Sequence, residues 1–184
     1  TYDEVGHGQE ATREFRNLME KSVFTNPKPL RYMNRMLQIG CNKDSIILDF
    51  FSGSSTTAHA VMQLNAEDGG NRKFIMVQLP EETPEDSEAR KAGYNTIPEV
   101  AKERIRRAGK KIKEESPLTT QNLDTGFRVF RLDESNYLEV KKSPKEYDQD
   151  MLGLFVDNIK ADRTDLDLLF GSMLAWGVHL DMPD

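Results

Sequence analysis

The spacing of apolar residues predicts alternating helices and strands through the middle of the chain. Four segments repeat an apolar residue every three or four positions, the spacing of a helix that buries one face: 9–23, 29–40, 56–65 and 96–113. Two short runs, residues 45–49 and 73–79, are apolar and partly β-branched without that repeat, which is typical of buried strands. The order of these elements predicts an α/β fold, with a parallel sheet covered by helices.

The C-terminal part has different patterns. Residues 126–132 (GFRVFRL) alternate with a period of two, which predicts a strand at or near a sheet edge. Residues 164–176 predict a helix, because Thr164 and Asp167 have the spacing of a capping box and Gly177 follows. The run at 168–180 is unusually apolar. Core packing is the favoured interpretation, and docking of another subunit or of a missing part of the protein is the alternative.

Composition narrows the functional class. The net charge of -6 gives no overall basic character that would point to nucleic acid, and Cys41 is the single cysteine, which excludes an internal disulfide. No apolar run approaches the roughly 20 residues that a membrane helix needs, and no leader opens the sequence, so we expect a cytoplasmic protein without a membrane partner. His7, His59 and His179 lie far apart in the sequence, and we expect no metal site.

One segment is strongly basic. Residues 102–113 (KERIRRAGKKIK) contain seven lysines and arginines, but the predicted helix there must also bury one apolar face. A solvated basic face is the favoured interpretation, and contact with DNA or with a partner is the alternative.

The stretch ILDFFSGSSTTAHAVM, residues 46–61, joins the first predicted strand to a helix through a turn of Ser and Gly. Ligands of open α/β sheets bind beyond the carboxyl ends of the strands, and unpaired N–H groups at a helix start favour a carboxylate or phosphate. Gly53 permits a positive φ or a close backbone approach. Neither a Walker lysine nor a G-x-G-x-x-G pattern is present. From the residues alone, a plain strand-to-helix turn remains the alternative.

The segment DFFSGSSTTAHAV resembles the D-x-F-x-G-S-G-T-T methionine-binding loop of amino-methylating DNA methyltransferases. More narrowly, it resembles the modification subunits of type III restriction–modification systems. Four further stretches agree with that family, in the same order along the chain: FTNPKPLRYM, EDGGNRKFIMVQLPEE, AGYNTIPEVAKERIRRAGKKI and DTGFRVFRLDESNY.

The resemblance implies a partial Rossmann-like methyltransferase fold with S-adenosylmethionine as cofactor. Its parallel sheet would carry helices on both faces. Residues 1–140 would form the S-adenosylmethionine-binding part, and residues 141–184 a C-terminal helical extension packed on it.

The resemblance also implies roles for individual residues. Asp49 would accept hydrogen bonds near the amino-acid part of the cofactor, and Phe51 would pack beside it. The residues after the strand would offer N–H and hydroxyl groups to its carboxylate, and Gln78, where many relatives have an acid, would hold the ribose hydroxyls. The implied cofactor-binding residues are Asn26, Lys28, Pro29, Asp49, Phe50, Phe51, Gly53, Ser54, Thr56, Thr57 and Gln78.

The chain departs from the family loop at one position. Ser55 stands where the family has glycine. If that position needs a positive φ, serine would strain the turn by about 1 kcal/mol or more, and cofactor affinity would fall. A side chain at this position would also occupy space that the ligand needs.

A second departure concerns catalysis. The family places an Asp/Asn-Pro-Pro-Tyr/Phe tetrapeptide against the flipped base, and this sequence contains no Pro-Pro pair. We therefore expect the cofactor-binding, C-terminal part of a DNA adenine-N6 methyltransferase that is inactive alone. Adenine is preferred over cytosine-N4 only through the closer family resemblance. The expected partners are DNA in the full enzyme, a restriction subunit and a second modification subunit, with a possible homodimer. A non-catalytic S-adenosylmethionine-binding module or a subunit-assembly domain is the alternative.

Overall fold

The structure is a computed structural model that describes residues 6–138 and 158–180. Its helices and strands are α1 (Gly8–Met19), α2 (Leu30–Gly40), β1 (Ile46–Asp49), α3 (Thr56–Asp68), β2 (Lys73–Met76), α4 (Glu88–Lys91), α5 (Ile97–Glu115) and α6 (Asp165–Ala175). They belong to two compact units, Thr1–Gly126 and Phe127–Asp184. The predicted domain boundary at residue 140 lies outside the described residues.

The first unit is built around a strand–helix–strand motif. β1 and β2 pair in parallel, with Ile46 opposite Lys73 and Asp49 opposite Met76. Parallel neighbours need a crossover connection, and α3 supplies it. The mixed helix and strand content and the parallel pairing agree with the α/β prediction.

Helices cover only one face of this small sheet in the described residues. Ile47 is buried and packs with residues of α2 and α3 in one core cluster: Leu37, Ala60, Val61 and Leu64. On the opposite face Ile46, Leu48 and Ile75 are 64%, 57% and 52% exposed. The expectation of helices on both faces is therefore wrong for this part of the chain. Two four-residue strands present a second apolar face, but none of the described helices packs on it.

A second core cluster forms where α1 packs near α5. It contains Phe15, Met19, Val23, Ala89 and Val100. Between the two clusters, α3 contacts both α2 and α5 and is buried along most of its length. Because α3 is held from two sides, the turn that precedes it has a fixed position.

The boundaries of the first helix differ from the prediction. The helix predicted at 9–23 ends at Met19, because Glu20 adopts a left-handed conformation with φ +63°. The helices α2, α3 and α5 begin and end within a few residues of the predicted positions, whereas the short helix α4 was not predicted.

The second unit confirms one prediction and contradicts two. Thr164 and Asp167 form the predicted capping box at the start of α6. Residues 126–132 form no strand, because no neighbouring segment in the described residues pairs with them; the isolated antiparallel bridge of this unit joins Tyr137 and Ile159.

The apolar run at 168–180 does not enter a core. Among the described residues of α6 none is buried, and the Trp176 side chain is 86% exposed. The rings of Phe130 and Phe170 pack edge to face, 5.1 Å between centroids. Within the part of the chain that the structure describes, no helix is long and apolar enough to cross a membrane.

Candidate functional site

The two parallel strands end at the same edge of the sheet. The turn that joins β1 to α3, residues 50–55, closes over the end of β2. Asp49 ends β1, and its carbonyl oxygen accepts a hydrogen bond of 2.8 Å from the Val77 N–H. The Ser52 N–H donates in turn to the Val77 carbonyl at 3.2 Å. The backbone beyond β2 therefore anchors the turn.

Gln78 and Gly53 meet in the structure although they lie 25 residues apart. The Gly53 N–H donates to Gln78 Oε1 at 2.8 Å. This bond uses the amide oxygen of Gln78, so its NH₂ group is the part that can donate to a ligand hydroxyl. It also changes the expected role of Gly53, whose N–H points to Gln78 instead of offering itself to a carboxylate.

The Asp49 carboxylate accepts hydrogen bonds from two residues that follow it, Phe51 and Thr57. Its Oδ2 accepts a 2.5 Å hydrogen bond from the Thr57 hydroxyl, and its Oδ1 accepts one of 3.3 Å from the Phe51 N–H. A carboxylate has about four acceptor positions, so Asp49 keeps the capacity to accept from an ammonium group. The Thr57 hydroxyl, by contrast, is oriented toward Asp49.

Ser55 has a positive φ, the left-handed conformation in which a serine is strained. Its φ is 58° and its ψ 45°, and its side chain is buried. A serine in this region is strained by about 1 kcal/mol or more. Because the Ser55 side chain is buried, it does not protrude into solvent at the turn.

The start of α3 has unpaired backbone donors. Ser55 occupies the N-cap position but makes no side-chain capping hydrogen bond. The first N–H groups of a helix have no partner within the helix, and they carry the positive end of the helix dipole. The turn therefore favours a negatively charged group.

Arg104, which was not among the predicted site residues, forms hydrogen bonds with side chains of this turn and of the start of α3. Arg104 of α5 donates from Nη1 to Ser54 Oγ at 2.8 Å and to Thr56 Oγ1 at 2.6 Å. Its guanidinium carbon lies 5.2 Å from the centre of the Phe15 ring. The sequence contains a sign that Arg104 is buried. Arg104 lies three residues after Ala101 and four before Ala108, on the apolar face of the helix.

The rest of the basic segment remains at the surface and is largely paired with acids. Arg107 pairs with Glu103 at 2.7 Å, and two lysines pair with acids one helical turn later, Lys110 with Glu114 and Lys111 with Glu115. The interpretation of 102–113 as a solvated basic face holds for these residues but is wrong for Arg104.

Two further features lie near the turn: its aromatic residues, Phe50 and Phe51, and the Asn-Pro-Lys-Pro segment, residues 26–29. The rings of Phe50 and Phe51 pack edge to face, 5.4 Å apart, and both are exposed. A Cβ added at Gly53 would lie 3.4 Å from the Phe24 ring, which brings the start of the 24–29 segment beside the turn.

Within that segment the implied site residues make no hydrogen bond or ion pair with the turn in the described structure. Asn26 has φ +56°, both Asn26 and Lys28 are exposed, and Pro29 is the N-cap residue of α2. The structure therefore brings together Asp49, Gly53, Ser54, Thr56, Thr57 and Gln78, but not Asn26, Lys28 or Pro29.

The serines of the turn and the threonines at the start of α3 are buried, whereas Gly53 is partly exposed. A cavity of about 530 Å³ lies along α2, lined by Arg31, Asn34, Arg35 and Gln38, and no turn residue lines it. In the described ranges, no three His, Cys, Asp or Glu side chains are grouped as metal ligands would be. The groups at the turn are hydrogen-bond donors and acceptors and the charges of Asp49 and Arg104.

Two buried titratable groups lie beneath the turn. Burial, followed by the nearby charges of Arg104 and Lys111, lowers the pKa of His59 to about 3, so this imidazole is neutral. Burial also lowers the pKa of Arg104 to about 10, which still leaves its guanidinium charged at neutral pH. The turn therefore has one fixed positive charge behind it.

Comparison with known proteins finds a family match over part of the chain and several relatives. Residues 4–91 match a family described as DNA methylase. The Mod subunit of the type III restriction–modification enzyme StyLTI, from Salmonella typhimurium, is 43% identical over 130 residues, which are 71% of this chain and 20% of that subunit. This chain is a relative of type III modification subunits.

Other relatives agree. The EcoP15I Mod subunit of Escherichia coli is 41% identical over 127 residues, 68% of this chain and 18% of that subunit. The type II methyltransferase M.KpnI of Klebsiella pneumoniae is 35% identical over 103 residues, 56% of this chain and 25% of that enzyme. The chain thus spans about a fifth of the length of the type III subunits that it matches. The methylase match includes the turn and Gln78, but it ends before Arg104.

Proposed function

We propose that this relative of type III modification subunits is the S-adenosylmethionine-binding portion of a DNA adenine-N6 methyltransferase. The observation that carries the proposal is the closure of the turn on the end of the neighbouring strand, through the Gly53–Gln78 hydrogen bond. That bond places the Asp49 turn and Gln78 at the edge of the sheet where ligands of α/β folds bind.

The residues at this edge fit the cofactor's functional groups. The unpaired N–H groups at the start of α3, with the Ser54 and Thr56 hydroxyls, suit its carboxylate. The free acceptor positions of Asp49 suit its ammonium group, and the Gln78 NH₂ group can donate to a ribose hydroxyl. Asn26, Lys28 and Pro29 remain proposed as flanking residues, since Phe24 places their segment beside Gly53.

The cofactor, when bound, supplies the methyl group. The chain's own residues bind and orient its amino-acid end, while the exposed rings of Phe50 and Phe51 cover neighbouring surface. Nothing in this sequence supplies the Pro-Pro tetrapeptide against which the target amine is held in this family. We therefore propose that the chain alone binds cofactor without transferring its methyl group.

In the full enzyme the proposed partners are DNA, a restriction subunit and a second modification subunit, in the cytoplasm. The names of the StyLTI and EcoP15I relatives as Mod subunits of type III enzymes support this assignment. The exposed apolar face of the sheet, formed by Ile46, Leu48 and Ile75, supports self-association of the isolated chain as a homodimer.

Titration calorimetry of the whole chain with S-adenosylmethionine and S-adenosylhomocysteine tests the proposed function. We expect saturable binding by the unchanged protein. Asp49→Ala removes the acceptor for Thr57, for the Phe51 N–H and for the cofactor's ammonium group, and should weaken binding by on the order of tenfold or more.

The matched control is Asp44→Ala, which removes an exposed acid before β1, at the opposite end of the strand from the turn. This variant should bind as the unchanged protein does. Equal affinity of the Asp49 variant, with unchanged circular dichroism, would contradict the site. Absence of saturable heat from the folded, unchanged protein would contradict the function.

A second candidate function is assembly with another subunit. The exposed apolar side chains of α6, Leu166, Leu169 and Leu174, and the neighbouring Trp176 favour it. An assembly domain would associate through these side chains whether or not cofactor is added, which light scattering with and without S-adenosylhomocysteine distinguishes.

A further inference from the structure

Arg104 is a buried charge without a carboxylate partner. Its side chain is 3% exposed, and within the described residues no acid forms an ion pair or hydrogen bond with its guanidinium. Burying a charge is costly unless other groups compensate for it. The compensation here comes from two hydroxyl oxygens, from the face of the Phe15 ring and, at longer range, from the charge of Glu14.

This arrangement fixes the direction of the hydrogen bonds at the turn. A guanidinium only donates, so Ser54 Oγ and Thr56 Oγ1 must act as acceptors toward Arg104. Each hydroxyl then has its single hydrogen left to donate. In the described structure neither hydroxyl donates to a protein acceptor. Ser54 and Thr56 are 3% and 5% exposed, so these hydrogens are available to an accepting group that enters the turn.

The charges behind the turn are mainly positive: burial lowers the pKa of Arg104, and the charge of Glu14 partly opposes that shift. Arg104 contributes a full positive charge, and the unpaired N–H groups at the start of α3 contribute the positive end of the helix dipole. His59, one turn along α3, is neutral. The nearest carboxylate of the turn, that of Asp49, is engaged by Thr57 and Phe51.

We propose that Arg104 is a positioning residue that makes the turn selective for the carboxylate end of the cofactor, acting through the Ser54 and Thr56 hydroxyls. This inference rests on the proposed function and adds a residue that lies outside the methylase match. Arg104 does not itself reach the ligand. It sets the orientation of the two hydroxyls and supplies the charge that the carboxylate balances.

The test compares two ligands that differ only in the carboxylate, S-adenosylhomocysteine and its decarboxylated analogue. Arg104→Met keeps the length of an apolar stem but removes the donors and the charge. Calorimetry should show S-adenosylhomocysteine bound on the order of tenfold more weakly by this variant, with the analogue changed less than about twofold. Arg104→Lys, which keeps the charge but not the planar pair of donors, should give an intermediate loss.

Arg106→Met, an exposed substitution on the same helix, is the matched control and should leave both affinities unchanged. If Arg104→Met does not fold, Ser54→Ala combined with Thr56→Val removes the two hydroxyls while Arg104 stays, and the same selective loss is expected.

Two results would overturn the inference. Equal weakening of both ligands would mean that Arg104 only supports the fold, and unchanged binding of both would mean that it has no role at the turn. Failure of the unchanged protein to bind either ligand would instead contradict the proposed function, so the two failures are distinguishable.

Discussion

At the scale of single residues, the turn combines a strained position with buried polar groups. Ser55 adopts φ 58° where glycine would be relaxed, and Arg104 and His59 are buried beneath it. Residues in unfavourable conformations and buried unpaired polar groups concentrate where a protein binds ligands. His59 Nδ1 has no hydrogen-bond partner in the described structure. These features single out the turn more sharply than its Ser- and Gly-rich sequence does.

His59 predicts a particular dependence of stability on pH. Its pKa is about 3 in the folded protein because of burial and the charges of Arg104 and Lys111, against about 6.5 when unfolded. Above the unfolded pKa both states are neutral, and this group adds no pH dependence. As the pH falls below it, only the unfolded state takes up the proton, so the free energy of unfolding decreases by about 1.4 kcal/mol per pH unit.

Urea unfolding at pH 7 and pH 5 measures this effect. His59→Gln should lose about 2 kcal/mol less than the unchanged protein over that interval. His179→Gln, a substitution of an exposed histidine, should follow the unchanged protein. Identical pH dependence in all three proteins would show that His59 does not titrate on unfolding.

At the scale of secondary structure, the connection from α3 to β2 is fixed by a buried polar cluster. Asn65 Oδ1 accepts from the Arg72 N–H at 3.1 Å, and Asn65 Nδ2 donates to the Arg72 carbonyl at 2.9 Å. The Arg72 side chain forms a two-pronged ion pair with Asp68, at 3.0 and 2.9 Å. This cluster sets where β2 begins, and hence where Gln78 emerges beside the turn.

Asn65→Ala should therefore destabilise the protein by about 2–3 kcal/mol, because it leaves the buried N–H and C=O of Arg72 without partners. Chemical denaturation measures the change. Glu67→Ala, which removes only an exposed i,i+4 pair with Gln63 on the same helix, should cost less than about 0.5 kcal/mol. Equal costs for the two substitutions would contradict the role of the cluster.

The sequence predicted elements well where periodicity and capping agree. The helices α2, α3 and α5 lie where the apolar repeats place them, and the Thr164 capping box starts α6. Both parallel strands lie within the apolar runs predicted at 45–49 and 73–79, although β2 ends at Met76. The predicted strand at 126–132 failed because alternation states only that a segment suits a sheet, and pairing depends on a neighbour that sequence does not reveal. The early end of α1 at Met19 depends on the conformation of Glu20.

The candidate site was predictable in part. The strand-to-helix turn and the family resemblance locate Asp49 through Thr57. The partner of each group was not predictable, because Gln78 lies 25 residues from Gly53 and Arg104 lies 50 residues from Ser54. Such contacts depend on how α3 packs against β2 and α5. An arginine within an apolar helix stripe is the one local sign of the second contact.

At the scale of the whole molecule, the chain forms a compact unit with one uncovered apolar sheet face and a separate unit whose helix α6 exposes apolar side chains. Exposed apolar patches of this kind mark surfaces that contact other protein. The chain spans about a fifth of the length of its type III relatives. The hydrogen bonds that the described residues of the turn make with Val77, Gln78 and Arg104 lie within the unit Thr1–Gly126.

Amide hydrogen exchange of the whole chain, measured by mass spectrometry with and without saturating S-adenosylhomocysteine, tests the central claim most directly. The account predicts slower exchange on binding in peptides that cover residues 49–58 and 77–79, because the ligand engages the N–H groups of the turn and Gln78. Peptides of α6 should exchange at the same rate in both samples. Unchanged exchange at the turn, or protection confined to other segments, would contradict the assignment of this turn as the cofactor site.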